Sequence, residues 1–165
     1  MSESKIKVYL DTNIIIDFFI NQAKTIKNKV ETKIPEKLSF LVNNLDRLEF
    51  VTSIITQAEI VRELTSGYGL NEKDIDELWK EFVKILDCKI IEKVVIDSRF
   101  VEIPMRIKMK LRTLMNFQHL FIAMEEGAYL ISGDKDLIRT VRENRVYDRI
   151  LSYIELRKII SSPCP

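Results

Sequence analysis

The 165-residue chain reads as an α/β protein, a three-layer α/β/α sandwich with a central parallel sheet. Three observations predict this. Short apolar or β-branched runs alternate with longer helical patterns along the whole length, the order that covers both faces of a parallel sheet with helices. The first run, Ile6 to Leu10, has Lys7 as its only charge, which suits a strand buried on both faces. Acidic or amide side chains (Asp11, Glu59, Asn116, Asp134) recur near strand ends and helix starts, the side of an open parallel sheet where ligands bind. Residues 1–160 form one domain, and residues 161–165 are expected to be a loose tail.

After Asp11, Asn13 to Ile20 reads as helical, and the lysine-rich stretch Lys24 to Lys33 interrupts the pattern as a loop. Pro35 suits a helix first turn, and Leu38, Leu41, Val42, Leu45 and Leu48 continue a helical stripe. Phe50 to Ser53 is a second strand. The helix after it carries Glu59 and ends before Gly67 and Gly69. Asn71 opens the next helix, with Ile75, Leu78, Trp79, Phe82, Val83 and Leu86 on one apolar face. Lys89 to Ile96 is β-branched and strand-like, and Asp97 is an N-cap for a segment that Pro104 kinks or breaks. Asn116 to Glu126 is a helix ended by Gly127, and Ala128 to Ser132 is a strand. Asp134 to Glu143 is a helix and Val146 to Leu151 the last strand. Ser152-Tyr-Ile-Glu155 matches a capping box for a terminal helix.

Composition excludes several classes. A hydrophobic fraction of 46% and a charged fraction of 31% are those of an ordinary globular domain. A net charge of +1 gives no global attraction to nucleic acid, so any such binding needs a local patch. No apolar run approaches the roughly 20 residues of a membrane span. The acidic, lysine-containing start is unlike a secretory signal. Cys88 and Cys164 have neither metal-ligand spacing nor a disulfide framework. A reduced, cytoplasmic setting is expected.

Gathering carboxylates in one place raises their pKa values and destabilises a fold. A divalent cation among them makes the cluster tolerable. Each residue also has a plainer reading. Asp11 can be an N-cap. Thr56-Gln-Ala-Glu59 can be a capping box; if the helix begins near Ser53 instead, Glu59 lies inside it and can reach the crevice. Asp134 and Asp136 can serve only the dipole of the helix they open. His119, the only histidine, reads as a helix-packing or surface residue rather than a ligand.

V-Y-L-Asp11-Thr12-Asn13, T-S-I-I-T-Q-A-Glu59, Asn116-F-Q-H-L-F-I-A-M-E-E-G-A and L-I-S-G-Asp134-Lys135-Asp136-Leu137 together resemble the PIN-domain ribonucleases, in order and spacing over nearly the whole chain. The resemblance implies an α/β/α sandwich and a metal-dependent endoribonuclease that hydrolyses RNA with bound Mg²⁺ or Mn²⁺. It implies that Asp11, Glu59 and Asp134 hold or orient the metal, with Asp136 an outer contributor and Asn13 and Ser132 supporting by hydrogen bonds. Many relatives are VapC-type toxins, which implies an antitoxin partner and a homodimer; the apolar helix Ile75 to Leu86 could form that interface or be core. The chain departs from the pattern at the fourth catalytic position. The family places aspartate where this chain has Asn116. An amide offers one oxygen and no charge, so the site holds its cation less tightly. Three explanations stay open: an engineered inactivating change, a naturally weakened enzyme, or a site completed by Asp136.

For RNA, Arg99, Arg106, Lys108, Lys110 and Arg112 form the densest basic stretch, either a phosphate-binding rim or a solvated helix face. Lys24, Lys27, Lys29 and Lys33 form a second cluster. Two other functions compete. A non-catalytic PIN domain would bind RNA or a protein. A haloacid-dehalogenase-like phosphatase would want a second aspartate where Asn13 stands, which ranks it last.

Overall fold

The computed structural model describes residues 4–107, 109 and 111–162. Five strands form one all-parallel sheet: β1 (Ile6–Leu10), β2 (Leu48–Ser53), β3 (Lys89–Ile91), β4 (Tyr129–Ile131) and β5 (Ile150–Leu151). Their order is β3-β2-β1-β4-β5, which puts β1 at the centre, as its near-continuous apolar run suits. Strand alternation sorts its residues between two cores. Val8 and Leu10 join Ile14, Phe18 and Phe19 of α1 (Thr12–Asn28) on one face, while Tyr9 joins the opposite face.

The first face is covered by α1, α2 (Glu36–Val42), α3 (Ile54–Tyr68), α4 (Glu72–Leu86) and α8 (Tyr153–Ser161). The second is covered by α6 (Leu111–Glu126) and α7 (Lys135–Glu143), with Phe100 and Ile103 of α5 (Arg99–Ile107) against it. The architecture is therefore the expected three-layer sandwich. Ile75, Leu78, Trp79, Phe82 and Leu86 of α4 are buried, and the Trp79 ring stacks on Phe19 at 6.1 Å. That apolar face belongs to the core and is not free to form a dimer.

Several boundaries differ from the sequence reading. α1 continues through the lysines to Asn28, because lysine is a good helix former and the solvent face tolerates charge. It ends at Lys29 in the left-handed conformation. α3 passes through Gly67 and stops at Gly69, whose φ of 62° favours glycine. Leu48 opens β2 instead of extending a helical stripe. β3 keeps only three residues of the expected eight-residue strand, since it has one neighbour in the sheet and Val95 and Ile96 lie exposed. β5, at the other edge, keeps two. Pro104 sits inside α5 without ending it. The capping box at Ser152 and Glu155 is present. Cys88 is half-buried just before β3, and burial pushes its thiol up to about 12. Cys164 and residues 163–165 of the expected tail lie outside the described residues. No helix among the described residues is long and apolar enough to cross a membrane.

Candidate active site

Asp11 follows β1 directly, at the carboxyl end of the central strand. The β1–β4 register pairs Leu10 with Ile131, so Asp11 and Ser132 leave the sheet side by side. Ser132 Oγ donates to Asp11 Oδ2 at 2.6 Å, and Asn13 Nδ2 donates to the same oxygen at 2.9 Å. Asn13 is held in turn: its Oδ1 accepts the Gly133 N–H at 2.8 Å. Asp11 occupies the N-cap position of α1, yet its side chain makes no capping bond. The carboxylate is 2% exposed. Burial pushes its pKa up, against the opposing pull of His119 and Ser132. Such a group is costly to keep ionised without a nearby positive charge.

Glu59 faces Asp11 from α3. The N-cap of that helix is Ser53, whose Oγ accepts the Thr56 N–H, so Glu59 lies well inside and serves no cap. Its side chain is 37% exposed. Thr12 Oγ1 donates to Glu59 Oε2, and His119 Nε2 lies 2.9 Å from that oxygen. Burial acts to raise the Glu59 pKa, but the His119 and Thr12 bonds and the charge of Arg62 outweigh it and hold the carboxyl low.

His119, expected as a helix-packing or surface residue, lies between Glu59 and Asp11. It is 1% exposed, with Nε2 3.8 Å from Asp11 Oδ1 and Nδ1 2.9 Å from the Tyr9 hydroxyl. Burial would lower its pKa, but Glu59 and Asp11 overcome that and raise it. The available signal was weak: a histidine one turn after Asn116, whose partners are far away in the sequence.

Asn116 and Asp134 also meet, Asn116 Nδ2 donating to Asp134 Oδ2 at 2.6 Å. The other Asp134 oxygen accepts the N–H groups of Asp136 and Leu137 and so caps α7. The capping role is thus realised at Asp134, and both its oxygens are engaged. The Asp136 side chain accepts from Arg139 at 2.6 Å on the exposed surface.

These groups border a cleft of about 240 Å³ whose lining includes Asp11, Thr12, Glu59, Arg62 and Asn116. A larger hollow of about 380 Å³ lies between α3 and α4, lined by Val61, Leu70, Ile75 and Trp79. It holds none of the convergent groups, so size does not locate the chemistry. Arg62 went unnoticed in the sequence; its signal was its place three residues after Glu59. Arg99 is committed to Asp97 and Glu125, and Arg106 is exposed on α5. Lys108, Lys110 and the Arg112 side chain lie outside the described residues.

The donors suit a hard cation: carboxylate oxygens of Asp11 and Glu59 and the carbonyl of Asn116. Among the described residues no three His, Cys, Asp or Glu groups are gathered as a complete metal cage. Mg²⁺ does not require one, since it is commonly held by one or two carboxylates, with water and substrate phosphate completing the shell. The residues fit such a partial site.

An α/β/α protein with a carboxylate cleft at the carboxyl end of its central strand belongs to the class of folds that bind ligands at a strand-order switch. Residues 8–143 match the PIN domain, and the chain belongs to that family. PIN domains are generally nucleases and typically use divalent metals. Among solved structures, the protein PAE2754 from Pyrobaculum aerophilum is similar over 92% of both chains, with a TM-score of 0.51 and 11% identity. At that identity the likeness concerns the fold. No curated protein matches the chain.

Proposed function

We propose that the protein is a metal-dependent endoribonuclease acting on RNA phosphodiesters with Mg²⁺ or Mn²⁺. The observation that carries the reading is the buried Asp11 carboxylate opposite Glu59 across a cleft open to solvent. Asp11 and Glu59 would hold the cation, with the Asn116 carbonyl as the neutral third donor. A bound cation would supply an acidified water and charge stabilisation on the phosphoryl oxygens. Ser132 and Asn13 fix the Asp11 carboxylate, and Thr12 fixes Glu59. Arg62 and the basic stretch around Arg106 supply positive charge for the RNA backbone.

The test is cleavage of single-stranded RNA with Mn²⁺ and with a chelator. Metal-dependent cleavage supports the reading. Absence of both cleavage and Mn²⁺ binding, in this chain and in Asn116→Asp, would overturn it.

The Asn116–Asp134 bond favours a second reading, a PIN domain that binds RNA or a protein without cutting. Under it, RNA binds in the presence of chelator and is recovered intact. A toxin role, with an antitoxin, a homodimer and a cytoplasmic setting, rests on the family resemblance alone. Co-purification with a small neighbouring gene product tests it.

A further inference from the structure

We propose that His119 is a positioning residue of the cleft, holding the Glu59 carboxylate through a buried hydrogen-bond relay anchored on Tyr9. The proposal rests on the nuclease reading for its purpose, but the relay itself is a property of this chain's own residues.

His119 sits among apolar side chains of the second core; its neighbours in α6 include Phe117, Leu120 and Phe121, all fully buried. A position serving only packing would take another such side chain, because burying imidazole is unfavourable unless both nitrogens are satisfied. Here both are. The Tyr9 hydroxyl lies 2.7 Å from Ser53 Oγ, 3.1 Å from Thr56 Oγ1 and 2.9 Å from His119 Nδ1. A carboxylate only accepts, so His119 Nε2 donates to Glu59 Oε2 across 2.9 Å. With the imidazole neutral, Nδ1 accepts the Tyr9 proton and the two lone pairs of the Tyr9 oxygen can accept from Ser53 and Thr56. The donor count closes without any unpaired group.

The relay joins four elements. Tyr9 is in the central strand, His119 in α6, Ser53 ends β2, and Thr56 stands at the start of α3, the helix that carries Glu59. Glu59 is more than one-third exposed, so holding its side chain in one rotamer costs conformational entropy. Thr12 and His119 are its two hydrogen-bond partners among the described residues, and only His119 is fixed from behind by the core. Partners of this kind, one step removed from a metal, orient the ligand carboxylate and raise affinity.

Three variants test the relay. His119→Phe keeps a ring in the core and removes both bonds. Tyr9→Phe removes one oxygen and leaves the imidazole. His119→Gln restores an amide that donates to Glu59 and accepts from Tyr9. Two readouts are needed: Mn²⁺ affinity by calorimetry, and NMR of the imidazole N–H without metal. We expect Mn²⁺ affinity to fall about tenfold or more in His119→Phe, less in Tyr9→Phe, and to recover partly in His119→Gln, with cooperative melting retained in all three. We expect a slowly exchanging Nε2–H signal in the metal-free protein that is lost in Glu59→Ala. Unchanged Mn²⁺ affinity in a folded His119→Phe overturns the proposal while leaving the nuclease reading intact. A protected Nε2–H in a protein that neither binds Mn²⁺ nor cleaves RNA, as the parent or as Asn116→Asp, upholds the relay and sinks the nuclease reading. Absence of a protected Nε2–H overturns the relay whatever the enzyme does.

Discussion

Asp11 stands directly after β1, Asp134 three residues after the neighbouring β4, and each is the N-cap residue of the helix that follows. Asp134 behaves as that position predicts, accepting two first-turn N–H groups of α7 through one oxygen while Asn116 occupies the other. Asp11 caps nothing and turns to Ser132 and Asn13. Strand register accounts for the difference. It sets the Ser132 hydroxyl beside Asp11, whereas Asp134, two residues further on, stands where its Oδ1 meets the first-turn N–H groups of α7. The same position thus serves two ends: Asp134 caps its helix, and Asp11 turns a buried carboxylate toward the cleft.

The largest test of this contrast is Asp11→Asn. The amide oxygen can still accept from Ser132 and Asn13, so the fold keeps its bonds while the cleft loses its buried charge. Cleavage should fall on the order of 10²–10³-fold, the scale of losing one preorganised electrostatic group. Stability at neutral pH should hold or rise, because a carboxyl whose pKa is raised on folding favours the unfolded state once it is ionised. A melting temperature that drops by several degrees would show that Asp11 is as structural as Asp134, and the contrast would fail.

Asn116→Asp attacks the other half. It replaces the donor to Asp134 with a second carboxylate, so the metal-free variant should melt lower through like-charge repulsion. Mn²⁺ should reverse that loss and bind roughly tenfold tighter, as one added charge near the ion would produce. Calorimetry and Mn²⁺-dependent melting measure both. If Mn²⁺ affinity does not change, the Asn116 side chain does not face the ion.

Asp134→Ala should act mainly on stability. Losing the cap costs about 1 kcal/mol, equivalent to about 2–4 °C in melting temperature for a chain of this size. Asp134→Ser, which keeps a capping oxygen, should recover most of it. The Asp134 variants sharpen the comparison if cleavage falls far less than in Asp11→Asn, and break it if the losses are equal.

The legible parts of the molecule are those set by local rules. β1 is an apolar run that suits a central strand, and Asn71, Ser152 and Glu155 are caps in the structure as in the sequence. Glu59 lies inside its helix because Ser53 takes the cap, one of the two readings left open by the sequence. Polar composition misled at Lys24 to Asn28, where lysine continues a helix whose other face is buried. The edge strands were overextended because β-branched residues mark strands whether or not a neighbour exists to pair with. His119 was out of reach for another reason. Tyr9 and Glu59, which decide its role, are 110 and 60 residues away, and no periodicity reports such a pairing.

A third strand-to-helix junction gives the reference for a carboxylate held ionised by its partners. Glu155, in the box that opens α8 after β5, accepts from Arg142 and from Ser152. The Arg142 bond first, then those from Ser152, outweigh burial and hold its carboxyl down at about 2. The folded value lies below the ordinary value of about 4.3, so the contribution is complete above that pH and is lost as pH falls toward about 2. Glu155 is 38% exposed, so screening limits the contribution to under about 1 kcal/mol. Glu155→Gln should thus melt slightly below the parent at neutral pH, and the two should converge in acid. Asp11→Asn should show the opposite trend, with any gain over the parent shrinking as acid protonates the parent's buried carboxyl. Parallel trends for the two variants would mean that Asp11, too, is held ionised by its partners, and the contrast would fail.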